Sequence, residues 1–154
     1  MSLESDLREL GRIPLFAAME YEALRLIAFA GEARILRAGD IVFRKGDISD
    51  GGYVLLNGLL ELESPTAGRA HRAITPPMLV GELALITETE RPGTLVARSP
   101  SSVLRISRDL FQRVLREFPR SARQTRDFVE TRLAAYLRDI AETSGRRFLD
   151  PDIG

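Results

Sequence analysis

The middle of the chain, from about residue 32 to 106, alternates short β-rich runs with turn signals. Asn57-Gly58 lies between two apolar runs and is the strongest hairpin signal among them. Many short strands joined by turns about every eight to twelve residues are typical of a sandwich or barrel, so we predict a β-barrel of the jelly-roll type. The predicted strands are residues 34–37, 41–43, 53–56, 59–63, 70–75, 94–98 and 103–106, and the predicted turns are Gly39-Asp40, Gly46-Asp47, Gly51-Gly52, Asn57-Gly58 and Ala67-Gly68.

Apolar residues at helical spacing predict helices on both sides of this β region. On its N-terminal side we expect two short helices, Leu3–Leu10 and Tyr21–Ala30, which Pro14 separates because proline breaks a helix. On its C-terminal side we expect one helix that ends or kinks at Pro119, followed by a longer helix over about residues 120–143.

The predicted fold class is therefore mainly β with flanking helices, a double-stranded β-helix (jelly-roll) barrel with N-terminal helices and two C-terminal helices. A chain of 154 residues is long enough for one domain with a hydrophobic core. We expect a single domain over residues 1–154, divided into N-terminal helices (1–31), barrel (32–106), C-terminal helices (107–143) and tail (144–154).

The composition, with 44% hydrophobic and 29% charged residues, is ordinary for a soluble globular protein. A formal net charge of +0 argues against a dedicated nucleic-acid binder, which usually carries a basic surplus. No apolar run approaches the length of a membrane span, and the N-terminus lacks the features of a signal peptide. The absence of cysteine excludes disulfides. We expect a cytoplasmic protein without a nucleic-acid or membrane partner.

Candidate catalytic and metal-binding residues are few. His71 is the single histidine, and we expect it in an exposed hairpin loop rather than in a metal site. Ser99, Ser101 and Ser102 lie beside Pro100 in a predicted turn, with no positioned base evident. A cupin-like enzyme barrel would need a cluster of histidine and carboxylate ligands. We therefore expect a protein that is not an enzyme and holds no metal or cofactor.

The segment Gly81-Glu82-Leu83-Ala84-Leu85-Ile86, followed five residues later by Arg91, brings three kinds of binding group together. A glutamate can accept a hydrogen bond from a hydroxyl group. Backbone N–H groups at the start of a helix can hold an anion. A guanidinium can bind two phosphate oxygens at once. The set suits a ligand that carries both a hydroxyl and a phosphate group.

Two further blocks, residues 36–47 and 50–58, precede this segment. In this order and spacing the three blocks resemble the cyclic nucleotide-binding domain family, which the bacterial catabolite activator, the regulatory subunits of cyclic-AMP-dependent kinase and gated ion channels share. The resemblance covers roughly residues 13–143. It implies a jelly-roll barrel that binds a cyclic nucleotide, with cAMP as the first candidate and cGMP as the second.

The resemblance also implies roles for individual residues. Glu82 would accept a hydrogen bond from the ribose 2′-hydroxyl, and Arg91 would pair with the phosphate oxygens. Thr125 and Phe128, near the start of the long helix, would cap the base. The implied ligand-binding residues are Gly81, which lets the sugar approach the backbone, Glu82, Leu83 and Ala84, whose N–H groups face the phosphate, Arg91, Pro92 and Gly93.

Pro92 departs from the family pattern, in which the residue after the arginine is usually Ala, Ser or Thr and its N–H helps to hold the phosphate. Proline has no N–H. Losing one hydrogen bond to a charged group costs about 1.5–3 kcal/mol, which lowers affinity roughly ten- to a hundredfold. Pro92 also lacks the threonine hydroxyl that cGMP-preferring members often place there. Affinity and nucleotide identity therefore stay open.

As a function, the resemblance implies a sensor domain in which phosphate capture shifts the two C-terminal helices. Only nine residues follow Gly145, too few for a helix-turn-helix module, so we expect the signal to pass to a protein partner rather than to DNA. Met1 and the polar tail favour a whole protein over a fragment. The alternative is a ligand-free interaction module, in which Glu82 and Arg91 would pair with each other.

The long helix carries an apolar face at near-heptad spacing, which is a weak coiled-coil signal. This face has two readings. It would pack on its own barrel, or it would pair with the same helix of a second subunit in a homodimer through residues 120–143. We expect the arginines on the other face of the helix to be solvated. The apolar face consists of Val129, Leu133, Tyr136 and Ile140.

Overall fold

The computed structural model of the protein describes residues 2–63 and 72–142. Within these residues, two four-stranded sheets enclose a common apolar interior, with three helices before them in the chain and two after. This arrangement confirms the predicted jelly-roll fold class with flanking helices. The turn predicted at Ala67-Gly68, the loop predicted around His71 and the tail over residues 144–154 lie outside the described residues.

Three helices precede the first strand: α1 (Leu3–Leu10), α2 (Pro14–Ala17) and α3 (Tyr21–Ala30). The bounds of α1 and α3 agree with the prediction. The sequence pattern does not reveal α2, because Pro14 there signals a break. Pro14 is in fact the first residue of α2, a position where the missing N–H of proline would have no intrahelical partner.

The strands of the described residues form two sheets, and each neighbouring pair is antiparallel. One sheet has the order β1-β8-β3-β6 and the other the order β2-β7-β4-β5. The strands are β1 (Glu32–Leu36), β2 (Ile41–Phe43), β3 (Gly51–Asn57), β4 (Leu60–Glu63), β5 (Arg72–Ile74), β6 (Met78–Val80), β7 (Thr94–Ala97) and β8 (Ser101–Ser107).

Two features of the sheets differ from the prediction. Gly51 and Gly52 begin β3 instead of forming a turn, so that prediction is wrong. Both positions exclude larger side chains, because a Cβ on Gly51 would clash with the carbonyl oxygen of Ile106, and one on Gly52 would lie 3.0 Å from the carbonyl oxygen of Val80. In addition, the sequence pattern does not reveal β6, which has only 3 residues.

Buried apolar side chains form two clusters, one on each face of the β1-β8-β3-β6 sheet. Alternation along β3 and β8 separates them, because successive strand residues point to opposite faces. Leu55 and Val103 face the barrel interior, together with residues of the other sheet. Val54 and Leu104 face the helices and pack with residues of α1, α3 and α4. The N-terminal helices and α4 therefore cover the outside of this sheet.

Two helices follow the barrel, α4 (Arg108–Glu117) and α5 (Pro119–Glu142). Phe111 and Val114 of α4 are fully buried, as its apolar face predicts. Pro119 opens α5, one residue earlier than expected. In the described part of the chain, no helix combines the length and the apolar character needed to cross a membrane.

The start of α5 is bonded to the N-terminal helices through Glu20 and Ser121. The Glu20 N–H donates to Ser121 Oγ (2.9 Å), and the Ser121 N–H donates to Glu20 Oε1 (3.0 Å). Ser121 is fully buried. The N–H groups in the first turn of a helix lack intrahelical partners, so the carboxylate of Glu20, the residue before α3, caps α5 although it lies far away in sequence.

Candidate ligand-binding site

The predicted binding segment folds into a tight turn, residues 81–86, hereafter the 81–86 turn. Gly81 is buried and has a φ of 93°, a left-handed conformation that favours glycine. Leu83–Leu85 form a single 3₁₀ turn, in which the Leu85 N–H donates to the Glu82 carbonyl (3.2 Å). The first N–H groups of such a turn have no acceptor within it. The backbone thus forms the short helical start that the motif predicts.

Arg91 lies beside this turn and is almost completely buried, with 4% of its surface exposed. Its Nη2 donates to the carbonyl oxygen of Gly51 (2.6 Å). Its Nη1 lies close to Gly81, since a Cβ built on Gly81 would be 2.8 Å from that nitrogen. Glycine at 81 is therefore required twice, by the positive φ and by the approach of the arginine.

Two aromatic rings flank the Arg91 guanidinium. Its Cζ lies 4.2 Å from the ring centroid of Phe43 and 5.8 Å from that of Tyr53. Both distances are within the range of a cation–π interaction. The two rings also contact each other, with centroids 6.0 Å apart. The sequence does not indicate Phe43 as a site residue, because a phenylalanine in a short apolar strand is typical of a core position.

Burial lowers the pKa of the Arg91 guanidinium from its ordinary value. Tyr53 and Asp50 oppose this shift, and Arg108 adds to it. The guanidinium remains charged at neutral pH, because an arginine side chain is not deprotonated in proteins. A buried cation of this kind can bind an anion strongly, since little water screens the interaction. Among the described residues, no group of acidic or histidine side chains is placed to hold a metal ion.

Pro92 and Gly93 continue the site toward β4. Pro92 is half-buried and offers no backbone N–H. Gly93 is buried, and a Cβ on it would lie 2.5 Å from the carbonyl oxygen of Glu63. The chain therefore passes close to the end of β4 immediately after Arg91, which fixes the direction in which the arginine enters the barrel.

Glu82, the predicted acceptor for a ribose hydroxyl, interacts with α5. Its Oε1 lies 3.4 Å from Arg132 Nη2, and their side chains are 22% and 48% exposed respectively. Arg132 also lies over the ring of Phe128, with its Cζ 5.6 Å from the centroid. Arg132 is exposed, as expected of the α5 arginines, but it also pairs with Glu82. Sequence spacing could not reveal this contact, because it depends on how α5 crosses the barrel.

The two predicted base-capping residues lie on α5 as expected, but they face different surroundings. Thr125 is 3% exposed, and its hydroxyl has no hydrogen-bond partner among the described residues. Phe128 is half-buried and packs against the cluster under the helices. Their role in capping a base stays a prediction.

Arg108, which the motif does not include, joins the 81–86 turn to the start of α4. Its Nε donates to the carbonyl oxygen of Ala84 (2.9 Å), and its Nη2 donates to the carbonyl oxygen of Ser49 (2.8 Å). The Arg108 N–H donates to the carbonyl oxygen of Asp50 (2.7 Å). Arg108 therefore holds both the 81–86 turn and the start of α4 to the loop that contains Ser49 and Asp50.

Comparison with known families agrees with this geometry. The model of the cyclic nucleotide-binding domain matches residues 33–118, which is more than half of the chain. The chain belongs to the cyclic nucleotide-binding domain family. The match includes the 81–86 turn and Arg91, so family membership and the site rest on the same segment.

Solved structures support this family assignment. A cyclic nucleotide-binding-like protein from Brucella abortus is 40% identical, with a TM-score of 0.65, over 72% of this chain and 97% of that chain. The catabolite activator protein of Thermus thermophilus is 25% identical, with a TM-score of 0.68, over 85% of this chain and 63% of that chain.

A curated relative is much longer than this chain. The lysophospholipase NTE1 of Chaetomium globosum is 32% identical over 129 residues, which is 78% of this chain. The chain spans only 8% of the length of that relative. The similarity therefore concerns one cyclic nucleotide-binding domain within a large protein.

Proposed function

We propose that this protein is a regulatory domain that senses a cyclic nucleotide, with cAMP as the first candidate and cGMP as the second. The observation that carries the proposal is the position of Arg91. A buried guanidinium lies directly against Gly81, at the start of a helical turn whose first N–H groups have no internal acceptor. A phosphate between the arginine and the turn would meet both kinds of donor.

Glu82 supports the ribose part of the proposal. A carboxylate can accept a hydrogen bond from the ribose 2′-hydroxyl. Glu82 directly follows Gly81, the residue beside the proposed phosphate position. Glu82 also contacts Arg132 of α5. A ribose would therefore compete with, or rearrange, a contact between the barrel and the C-terminal helix.

We further propose that the domain regulates rather than catalyses, and that its signal passes through α4 and α5 to a protein partner. Arg108 and Arg132 support this route, because each connects one of these helices to the 81–86 turn. A ligand can shift the helices only if it binds one arrangement better than the other. We place this activity in the cytoplasm.

Isothermal titration of the purified chain with cAMP and with cGMP tests the proposal. We expect micromolar or tighter binding of at least one nucleotide, and loss of binding in Arg91→Ala. Arg116→Ala is the matched control, because Arg116 is an exposed arginine on α4 outside the site. No heat and no rise in melting temperature at millimolar nucleotide would refute the proposal.

That negative result would favour the second candidate, a ligand-free interaction module on the same fold. Pro92 favours this candidate, because it removes one donor from the phosphate position. The contacts of Arg91 with Gly51 and Phe43 also favour it, because they give the arginine partners within the chain.

A further inference from the structure

We propose that Phe43 is a positioning residue for Arg91: together with Tyr53 it forms an aromatic platform that fixes the guanidinium in the orientation needed to receive a phosphate. This inference rests on the proposed function and assigns a determinant of phosphate affinity to a side chain that does not itself touch the ligand.

The geometry restrains the guanidinium from several directions. Its face lies over Phe43, with 4.2 Å between Cζ and the ring centroid, and Tyr53 lies at 5.8 Å. Its Nη2 is bonded to the Gly51 carbonyl at 2.6 Å. With one face and one nitrogen fixed, Nη1 is directed at Gly81 and the start of the 81–86 turn.

The backbone of Arg91 is fixed as well. Its N–H donates to the Asp47 carbonyl (2.8 Å), and its carbonyl accepts from the Gly46 N–H (2.9 Å). The loop that provides these bonds follows directly after β2, the strand that carries Phe43. The ring and the arginine backbone are therefore tied to the same loop, so that their relative position is set by a short piece of structure.

The platform has two physical effects on anion binding. An arginine side chain has many rotamers, and fixing it before the ligand arrives removes an entropic cost of binding. Phe43 and Tyr53 are themselves buried, and they exclude water from one face of the cation. A desolvated cation–π contact is stronger than an exposed one. Both effects offset the donor that Pro92 lacks.

Replacing the ring tests the inference. Phe43→Leu and Phe43→Met each keep an apolar side chain but remove the π face, and the two replacements have nearly equal volumes and different shapes. We expect both to weaken cyclic nucleotide binding about five- to thirtyfold in isothermal titration. Phe43→Tyr retains the ring face and should bind within about threefold of the unsubstituted chain. Phe16→Leu, a fully buried phenylalanine in the cluster under the helices, is the control for loss of core packing.

A spectroscopic signature separates positioning from general destabilisation. A guanidinium over an aromatic ring has its Nε–H signal displaced by the ring current. We expect the Arg91 Nε–H signal, assigned with Arg91→Lys, to move toward the position of a free arginine in Phe43→Leu and Phe43→Met, and to stay in place in Phe16→Leu. The melting temperature of each variant shows whether it is folded at the temperature of measurement.

The outcomes are distinct. If the unsubstituted chain binds neither nucleotide, the proposed function fails and this inference fails with it. If the unsubstituted chain binds and folded Phe43→Leu and Phe43→Met bind equally well, the function stands and the platform is overturned. An Arg91 Nε–H signal that does not move in these variants also overturns it. Weaker binding together with a displaced signal, restored in Phe43→Tyr, supports it.

Discussion

Pro92 follows directly after the residue that is expected to bind phosphate, and it changes the number of donors there. Every other common residue would offer an N–H at this position, and proline does not. In the structure, Arg91 is buried and contacts Gly51 and Phe43, so under the proposed function its fixed position would compensate in part for this loss. Under the proposed function, phosphate binding would therefore rely more on this one guanidinium than on backbone donors.

Pro92→Ala should strengthen binding. An alanine restores one N–H, and a hydrogen bond to a charged group contributes about 1.5–3 kcal/mol, so we expect roughly ten- to a hundredfold higher affinity for the cyclic nucleotide. Isothermal titration measures this directly. Pro100→Ala, an exposed proline in another turn, is the control. Unchanged affinity in Pro92→Ala would mean that the phosphate does not approach residue 92.

Some residues of the candidate site could be predicted from the sequence and others could not. Gly81, Glu82 and Arg91 could be singled out because their types and spacing carry a chemical meaning. Phe43 and Arg132 could not, because each acquires its role by contact with a residue distant in sequence. A phenylalanine in a short apolar strand and an arginine on a polar helix face have ordinary alternative explanations.

Among the helices and strands, local pattern was sufficient for some and not for others. The bounds of α1 and α3 follow from apolar periodicity. The place of Gly51 in β3 follows instead from its approach to Ile106, a tertiary contact that no local signal records. A pair of glycines is usually a turn signal, and here the packing of neighbouring strands overrides that preference.

Arg108 connects three elements and should contribute measurably to stability. Arg108→Leu removes its bonds to Ala84 and Ser49, and we expect the free energy of unfolding to fall by about 1.5–3 kcal/mol in urea titration. Arg108→Lys keeps a cationic donor and should recover part of this loss. Recovery should be incomplete, because one ammonium group cannot reproduce the planar fork of donors of a guanidinium.

The matched control for Arg108 is Arg116→Leu, on an exposed position of the same helix. Surface substitutions of this kind usually change stability by no more than about 0.5 kcal/mol. Equal losses in Arg108→Leu and Arg116→Leu would contradict a connecting role for Arg108.

At the scale of the whole molecule, the long helix α5 contacts the predicted binding segment. Glu82 contacts Arg132 of α5, with 3.4 Å between the charged atoms. This ion pair is partly exposed, so it is weak and easily exchanged for another partner. Binding of a ribose at Glu82 would therefore change how α5 is held.

We expect cAMP to change the distance between the barrel and α5. The chain contains no cysteine, so Lys45→Cys with Arg126→Cys gives two unique sites for spin labels on exposed positions. Pulsed electron spin resonance should show a shifted distance distribution at saturating nucleotide. A pair within the barrel, Arg37→Cys with Lys45→Cys, should not change. An unchanged distribution for the first pair would mean that α5 does not respond to the ligand.

Glu20 and Ser121 are 101 positions apart and are joined by hydrogen bonds. One precedes and the other follows residues 33–118, the segment that matches the family. Residues 33–118 are enough to recognise a cyclic nucleotide-binding domain, yet a fragment trimmed to them would lose both partners of this link. Glu20, which caps α5, would be missing, and so would α5 itself. The boundaries of the family segment therefore differ from those of the structural unit, because the capping of α5 depends on one residue before the segment and one after it.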